Sequence, residues 1–181
     1  MSRMPWRQLT ASLRERLAPT LQGRVALHQA RYRYTREEVG RVWLTVDGRE
    51  VIQFDTSTYI RRRAEMSAAL RAGTGPGGTE PVPGTPEYRA ADVAAVAQLR
   101  EAGLYDDYNA LADLEAYLSL AIDDALTAPS PLLRGLAVVD RRVGKRRLCA
   151  MAPLAGEHPL VRELFALRCA AEGLTLGEGA I

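Results

Sequence analysis

Apolar residues near the start of the chain recur at the spacing of a helix. Trp6, Leu9, Leu13 and Leu17 are three, four and four positions apart. Residues at these spacings share one face of an α-helix, and the pattern therefore predicts an amphipathic helix over residues 5–18.

The next part of the chain has the alternating pattern of strands. Residues 24–34, RVALHQARYRY, predict a first strand, and two strand-like runs follow within RVWLTVDGREVIQF at residues 41–54. The pair Asp47-Gly48 between these runs supplies the positive φ values of a two-residue type I′ turn, so the pattern indicates a β-hairpin. The residues expected to share one face of the second strand are Val42, Leu44 and Val46, with Trp43 and Thr45 on the other face.

A helix is expected after the hairpin, capped by Thr56 or Ser57 and running to about Ala72. The stretch GTGPGGTEPVPGTP at residues 73–86 holds five glycines and four prolines, which indicates a loop or linker. It contains the pattern G-x-G-x-x-G. The dinucleotide-binding interpretation is rejected because that motif must follow a strand and open a helix, whereas this one follows a helix.

The remaining sequence has helical periodicity. Helices are predicted over residues 87–102, over 107–127, from Ser130-Pro131 to about residue 150, and from His158-Pro159 to Gly173. The helix after Ser130 is expected to bury one stripe of side chains, namely Leu132, Leu136, Val139, Val143 and Leu148.

These elements define the α+β class: an N-terminal helix, a three-stranded antiparallel sheet with an Asp-Gly hairpin, then a mostly helical C-terminal half. Residues 1–72 hold the first helix, the sheet and the next helix, and residues 73–86 are the linker or loop. Residues 87–173 are the helical part, whose helices either cover one face of the sheet or form a separate lobe beyond the linker. We expect this part to pack with the first part as one domain. Residues 174–181 are expected to form a loose tail.

Composition narrows the class of protein. The chain has 181 residues, is 47% hydrophobic and 25% charged, and carries a net charge of +2, as a globular protein does. No apolar run approaches the ~18 residues of a membrane span, and the N-terminus lacks a signal-peptide core. The two cysteines, Cys149 and Cys169, suit a reducing compartment, so a cytoplasmic protein without membrane association is predicted.

The net charge conceals an uneven distribution. Residues 80–124 contain ten acidic and two basic residues, whereas residues 130–150 contain six basic and one acidic residue. One interpretation is that the acidic helices neutralise the basic segments within the fold. The other is that the basic stretches share an exposed face and bind an anion, nucleic acid or an acidic protein.

The segment DRRVGKRRL at residues 140–148 is the densest cluster of charge, with five cations in nine positions. It is expected to lie on a helix, either as a phosphate-binding surface or as a solvated face. Asp140 is expected either to pair with Arg141 or Arg142 across the surface or to anchor the helix in the fold. Tyr32 and Tyr34 could stack bases or pack under a helix. The candidate anion or nucleic-acid site comprises Arg141, Arg142, Lys145, Arg146 and Arg147, together with Arg31 and Arg33.

Residues typical of catalysis are sparse. His158 is the one candidate site histidine, although capping of a helix is the alternative, and His28 is expected to pack on a strand. Neither has a second histidine or a cysteine at metal-ligand spacing, so no metal and no cofactor are predicted, and no catalytic residue is identified. Cys149 and Cys169 are expected to be small core residues on helices.

Several stretches resemble a family of small, uncharacterised bacterial cytoplasmic proteins. They are Trp6 and Leu9, GRV at 23–25, RYRY at 31–34, WLTVDGRE at 43–50 with Phe54, DRRVGKRRL at 140–148, and HPLVRELFALRCAAEGL at 158–174. The Gly/Pro linker departs from the family, which is more polar there. The resemblance implies a bacterial, intracellular, single-domain protein and supplies no reaction, ligand or catalytic residue.

The leading functional hypothesis is a non-enzymatic bacterial binding protein, an accessory or regulatory partner of another protein. The alternative is a nucleic-acid-binding module that uses the basic helix 140–148. The third is an enzyme whose site is assembled from residues far apart in sequence. The sequence leaves the oligomeric state and the identity of the partner open.

Overall fold

The computed structural model of the chain describes residues 4–31, 40–151 and 157–174. The first element, α1 (Trp6–Arg16), buries Leu9 and Leu13, so the predicted N-terminal helix is confirmed. It ends two residues earlier than expected because Leu17 is extended, with ψ 145°.

Strands β1 (Val25–Arg31), β2 (Gly40–Val46) and β3 (Arg49–Asp55) form an antiparallel sheet in chain order. Asp47 and Gly48 form the hairpin turn with φ values of 51° and 78°, the left-handed geometry that a type I′ turn requires. The inner face of the sheet packs on the helices. The buried side chains on this face include Val25, Val42, Leu44, Val46 and Phe54.

The first strand ends at Arg31. Tyr32, Arg33 and Tyr34, which the sequence places on the same strand, lie outside the described residues.

Helix α2 (Thr56–Arg71) follows β3 without a loop. Its N-cap is Asp55, whose carboxylate accepts hydrogen bonds from the backbone N–H groups of Ser57 at 2.9 Å and Thr58 at 3.3 Å. The predicted cap at Thr56 or Ser57 is therefore wrong, because the last residue of the strand already supplies the capping oxygen.

Helix α3 (Pro86–Glu101) packs against α2, and the Gly/Pro-rich segment between them is a loop with one short 3₁₀ turn at Pro76–Gly78. Arg71 ties this loop to both helices, since its guanidinium lies 2.9 Å from Glu80 and 3.3 Å from Asp92.

The single helix predicted over residues 107–127 is wrong. The structure has α4 (Asp107–Ser119) and α5 (Ile122–Leu126), separated by the extended residues Leu120 and Ala121, with ψ 143° and 148°. The break frees backbone carbonyls at the end of α4, and two arginine side chains, described below, bind them.

The single helix predicted from Ser130 through residue 150 is also wrong. It divides into α6 (Pro131–Val138) and α7 (Lys145–Ala150), and Asp140 lies between them in a β-bridge with Leu17. Backbone pairing with the end of α1 thus replaces helical pairing at this point. The predicted burial is nevertheless correct, since Leu132, Leu136, Val139, Val143 and Leu148 are all buried.

The last helix, α8 (Pro159–Ala171), packs on α6. The fold is α+β as predicted. One core cluster joins α1, the sheet, α4 and α6, and a second joins the sheet, the end of α6 and α8. Among the residues that the structure describes, no helix is long and apolar enough to cross a membrane.

The contact of α6 with α8 depends on Gly135. A Cβ atom at this position would lie 2.9 Å from Cδ1 of the buried Leu164 and 3.5 Å from Cγ of Leu160. We expect Gly135→Ala to lower the free energy of unfolding by up to about 2 kcal/mol, because overpacking a core costs about 1–3 kcal/mol and alanine regains about 1 kcal/mol over glycine inside a helix. Urea denaturation measures this change.

The matched control is Gly144→Ala. An added Cβ there meets no atom within 4 Å, and the backbone has φ −77°, which alanine adopts freely. Equal denaturation midpoints for the two variants would contradict a tight α6–α8 contact.

Candidate functional site

A cavity of about 350 Å³ lies beneath α1, between this helix, the strands β1 and β2, and helices α4 and α6. Arg7, Thr10, Arg14 and Arg16 of α1 contribute the polar part of its lining. The apolar walls include Leu13, Leu17, Leu27, Leu44, Leu114 and Leu136.

Both ends of α1 are fixed to other elements, which determines where the helix lies over the sheet. Before its first turn, the backbone N–H of Met4 donates to Glu115 of α4 at 2.9 Å. At its last turn, the carbonyl of Arg16 accepts from the N–H of Arg141 at 2.8 Å. The Arg16 guanidinium also donates to the carbonyl of Leu118, at the end of α4, at 2.9 Å.

The floor of the cavity includes Tyr117, which is buried and belongs to a polar network in the core. Its hydroxyl donates to the carboxylate of Asp140 and lies 3.2 Å from the carbonyl oxygen of Leu136. Asp140 is fully buried. A buried carboxylate is stable only when hydrogen-bonded or paired, and Tyr117 provides the first of its partners.

Arg142 provides the other partners of this carboxylate. Its Nη2 and Nε lie 2.8 and 3.1 Å from Oδ2 of Asp140, and its backbone N–H donates to Oδ1 at 2.7 Å. Its Nη1 donates to the carbonyl of Leu120 at 2.9 Å, at the break between α4 and α5. Asp140 therefore pairs with Arg142, one of the two expected arginines, but does so inside the fold and not across the surface.

The network shifts the acidities of its members in opposite directions. Burial alone would raise the pKa of Asp140, but the hydrogen bonds from Arg142 and Tyr117 outweigh burial and hold it below the ordinary value. Burial, reinforced by the bond to Asp140, raises the pKa of Tyr117 well above that of a free phenol. At neutral pH the network is thus a carboxylate, a neutral phenol and a guanidinium.

The five cations of the segment 140–148 do not lie on one helix as predicted, because residues 140–144 are a turn and only α7 is helical. Arg142 bonds inside the fold as described. Lys145 pairs with Glu172 at 3.3 Å, and Arg147 pairs with Asp123 of the acidic segment.

Arg141 and Arg146 are exposed and form no ion pair within the described part of the chain. Three cations of this segment, Arg142, Lys145 and Arg147, are thus paired within the fold, whereas the other two face solvent. Of the two further candidate arginines, Arg31 ends β1, some distance along the chain from this segment, and Arg33 lies outside the described residues.

His158 is the N-cap of α8. Its Nδ1 accepts the N–H of Leu160 at 3.2 Å, and its Nε2 lies 3.3 Å from the carbonyl oxygen of Ala102. Gly103, with φ 74°, leaves room for this ring, since a Cβ there would lie 2.7 Å from Nε2. Both ring nitrogens are therefore engaged, since Nδ1 caps α8 and Nε2 contacts the end of α3.

The cysteines differ in environment. Cys169 is buried on α8 as expected, whereas Cys149 is exposed, so the prediction of a core position for Cys149 is wrong. The reason is that α7 is only six residues long and buries only Leu148. Within the described ranges, no group of three or more His, Cys, Asp or Glu side chains could hold a metal ion.

Sequence reasoning missed the residues around the cavity. Arg7 and Arg14 are seven positions apart, which places them on one face of α1 beside its apolar stripe, and this spacing was a readable signal. It also missed Arg168, which is 4% exposed and donates to the carbonyl of Val143 at 3.1 Å. Burial lowers the pKa of Arg168, while its ion partner Glu172 opposes that shift.

Comparison with known proteins places the chain in a family. A family model described as the SF0329 protein family matches residues 5–169, which is most of the chain. The chain belongs to the SF0329 protein family. The match spans α1, the sheet and nearly all of α8, so the cavity and the Asp140 network both lie within the region that the SF0329 model covers. No curated protein and no solved structure gives a significant match.

Within this SF0329 member, Asp140→Asn should be strongly destabilising. The amide keeps the size of the side chain but leaves the Arg142 guanidinium without its charge partner. Removing one member of a buried ion pair costs ~3–5 kcal/mol. Thermal denaturation at neutral pH measures the loss, and Asp123→Asn, at an exposed surface pair with Arg147, is the control that should change little.

The same variant tests the role of ionisation. Because folding lowers the pKa of Asp140, its carboxylate stabilises the protein at pH values above the ordinary pKa of an aspartate, about 3.9. That contribution is lost as the pH falls through the lowered folded value. The stability difference between the natural protein and Asp140→Asn should therefore shrink in acid, and a constant difference would contradict an ionised Asp140.

Proposed function

We propose that this protein is a non-enzymatic bacterial binding protein, that it acts in the cytoplasm as an accessory or regulatory partner of another protein, and that a small apolar ligand occupies the cavity beneath α1. The observation that carries the proposal is the cavity itself. Protein interiors are close-packed, and a volume of about 350 Å³ lies within the range of small-molecule sites.

The groups nearest the cavity favour binding over catalysis. The Tyr117 hydroxyl bonds to Asp140, and the Arg16 guanidinium bonds to a backbone carbonyl. A catalytic acid or base must be able to exchange a proton with a substrate, whereas these groups are engaged in holding α1, α4 and α6 together. The exposed thiol of Cys149 suits the reducing cytoplasm that we propose.

A ligand in the cavity could regulate the protein by stabilising one position of α1. The cavity separates part of this helix from the sheet, so a bound molecule adds contacts between the two. Any ligand that binds only the folded state stabilises it, and it also favours the arrangement of α1 that a partner protein would meet.

A neutral fluorophore such as N-phenyl-naphthylamine tests the site. We expect saturable binding with one site per chain, with a rise in fluorescence as the dye leaves water. Ala11→Trp places an indole in the cavity and should abolish the signal, because Ala11 lines it. Absence of saturable binding by the natural protein would overturn the proposal.

The control for Ala11→Trp is Ala97→Trp. Ala97 is an exposed residue of α3 and does not line the cavity, so this substitution adds the same side chain without filling the site. Dye binding by Ala97→Trp should equal that of the natural protein, provided both variants unfold at similar temperatures.

A second candidate function, nucleic-acid binding, is favoured by Arg141 and Arg146, which face solvent without an ion partner among the described residues. Phosphate contacts release counterions, so affinity for RNA or DNA should fall steeply between about 50 and 200 mM salt. Arg141→Glu with Arg146→Glu should then abolish binding while the fold is retained. No binding at the lower salt would exclude this candidate.

Arg142 does not serve as the test residue for nucleic acid, since its reversal acts on the core. We expect Arg142→Glu to lower the unfolding temperature, because it sets a carboxylate against the buried Asp140. Arg146→Glu should leave that temperature nearly unchanged. Circular dichroism melts compare the two, and equal effects would contradict the internal role of Arg142.

A further inference from the structure

The charges around the cavity are of one sign. Three arginines line it, namely Arg7, Arg14 and Arg16, and none of its described lining residues is acidic. The Arg16 guanidinium already donates a hydrogen bond to the carbonyl of Leu118. Arg7 and Arg14 line the cavity with exposed side chains, and neither forms an ion pair with another described residue.

The position of Arg7 is unfavourable for the helix that carries it. Arg7 lies in the first turn of α1, which contains no acidic residue, and positive charge at a helix N-terminus opposes the helix dipole. Arg14 lies in the last turn, where the dipole favours a cation. Helix stability therefore explains Arg14 alone, whereas a shared anionic ligand explains both.

The geometry of α1 brings these two groups to one ligand. Residues seven positions apart are two turns apart on one face, about 10 Å along the axis. Thr10 and Ala11, which also line the cavity, lie between them. A guanidinium binds carboxylate or phosphate oxygens through parallel N–H groups, and two flexible arginine side chains can converge on one head group at the mouth.

The walls and volume define the rest of the ligand. Leu13, Leu27, Leu44 and Leu114 are apolar walls behind the arginines. A volume of about 350 Å³ is near the lower end of small-molecule sites, so it suits one medium-length alkyl chain and is too small for a two-chain lipid.

We propose that the cavity binds a single-chain amphiphilic anion, whose apolar tail lies against the leucine walls and whose carboxylate or phosphate head group binds Arg7 and Arg14. This inference rests on the proposed function, because it names the class of ligand for the same cavity. Arginine stems also cover apolar surface, so the charge of the head group is the property to test.

The experiment is calorimetric titration of the full chain with decanoate, decyl phosphate, decanol and decylammonium, each below its micelle concentration. The four compounds share a tail and differ in the head group. We expect one site per chain, with both anions binding about tenfold more tightly than decanol, as one or two charge-assisted contacts at a partly exposed site allow. Decylammonium should bind most weakly.

Two double variants locate the effect. Arg7→Gln with Arg14→Gln should lower the affinity for decanoate to that for decanol and leave decanol binding unchanged. Arg61→Gln with Arg89→Gln removes the same charge at exposed positions of α2 and α3 and should leave both affinities unchanged.

The outcomes separate this inference from the function on which it rests. Equal affinities for decanol and decanoate in the natural protein would overturn the anionic head group and leave an apolar ligand site. Loss of decanoate affinity in both double variants would also overturn it, since net charge would then be the cause. No binding of any compound would overturn the cavity as a ligand site altogether.

Discussion

The fully buried carboxylate of Asp140 lies where α1, α4 and α6 meet, and it constrains all three helices. A fully buried charge must be compensated, and here the compensation comes from Tyr117 of α4 and from Arg142, two residues further along the chain. Arg142 could not pair with Asp140 if α6 continued as a helix through residue 144, because residues two positions apart do not face each other on a helix. The end of α6 places Arg142 beside Asp140, and the break after α4 exposes the Leu120 carbonyl that Arg142 binds. The bridge between Leu17 and Asp140 attaches the end of α1 at the same point.

The sequence was sufficient to predict those elements whose signals are local. Asp47-Gly48 predicted its hairpin because a type I′ turn needs φ values that few other pairs accept. The buried positions from Leu132 to Leu148 were also predicted correctly, but the prediction of one continuous helix over them was wrong. Hydrophobic periodicity reports which side chains are buried, and a turn between two short helices can bury the same positions as one long helix.

The candidate site was less predictable because it is assembled from several elements. The segment 140–148 is rich in cations, yet these cations lie in three different environments: a buried network, surface ion pairs and open solvent. Those environments depend on residues more than twenty positions away, such as Tyr117, Asp123 and Glu172. A cavity is harder still, since it is a volume that the side chains of α1, the sheet, α4 and α6 together leave unfilled.

The Asp140 network and the cavity meet at α1, and this connection gives the binding proposal a physical route to regulation. The last turn of α1 is held by Leu118 and Arg141, and the chain just before its first turn by Glu115, while its middle lies over the unfilled volume. A ligand at a hundred times its dissociation constant stabilises the state that binds it by about 2.7 kcal/mol. Coupling between two sites is reciprocal. If the ligand raises the affinity of the protein for a partner that contacts α1, that partner raises the affinity for the ligand by the same factor.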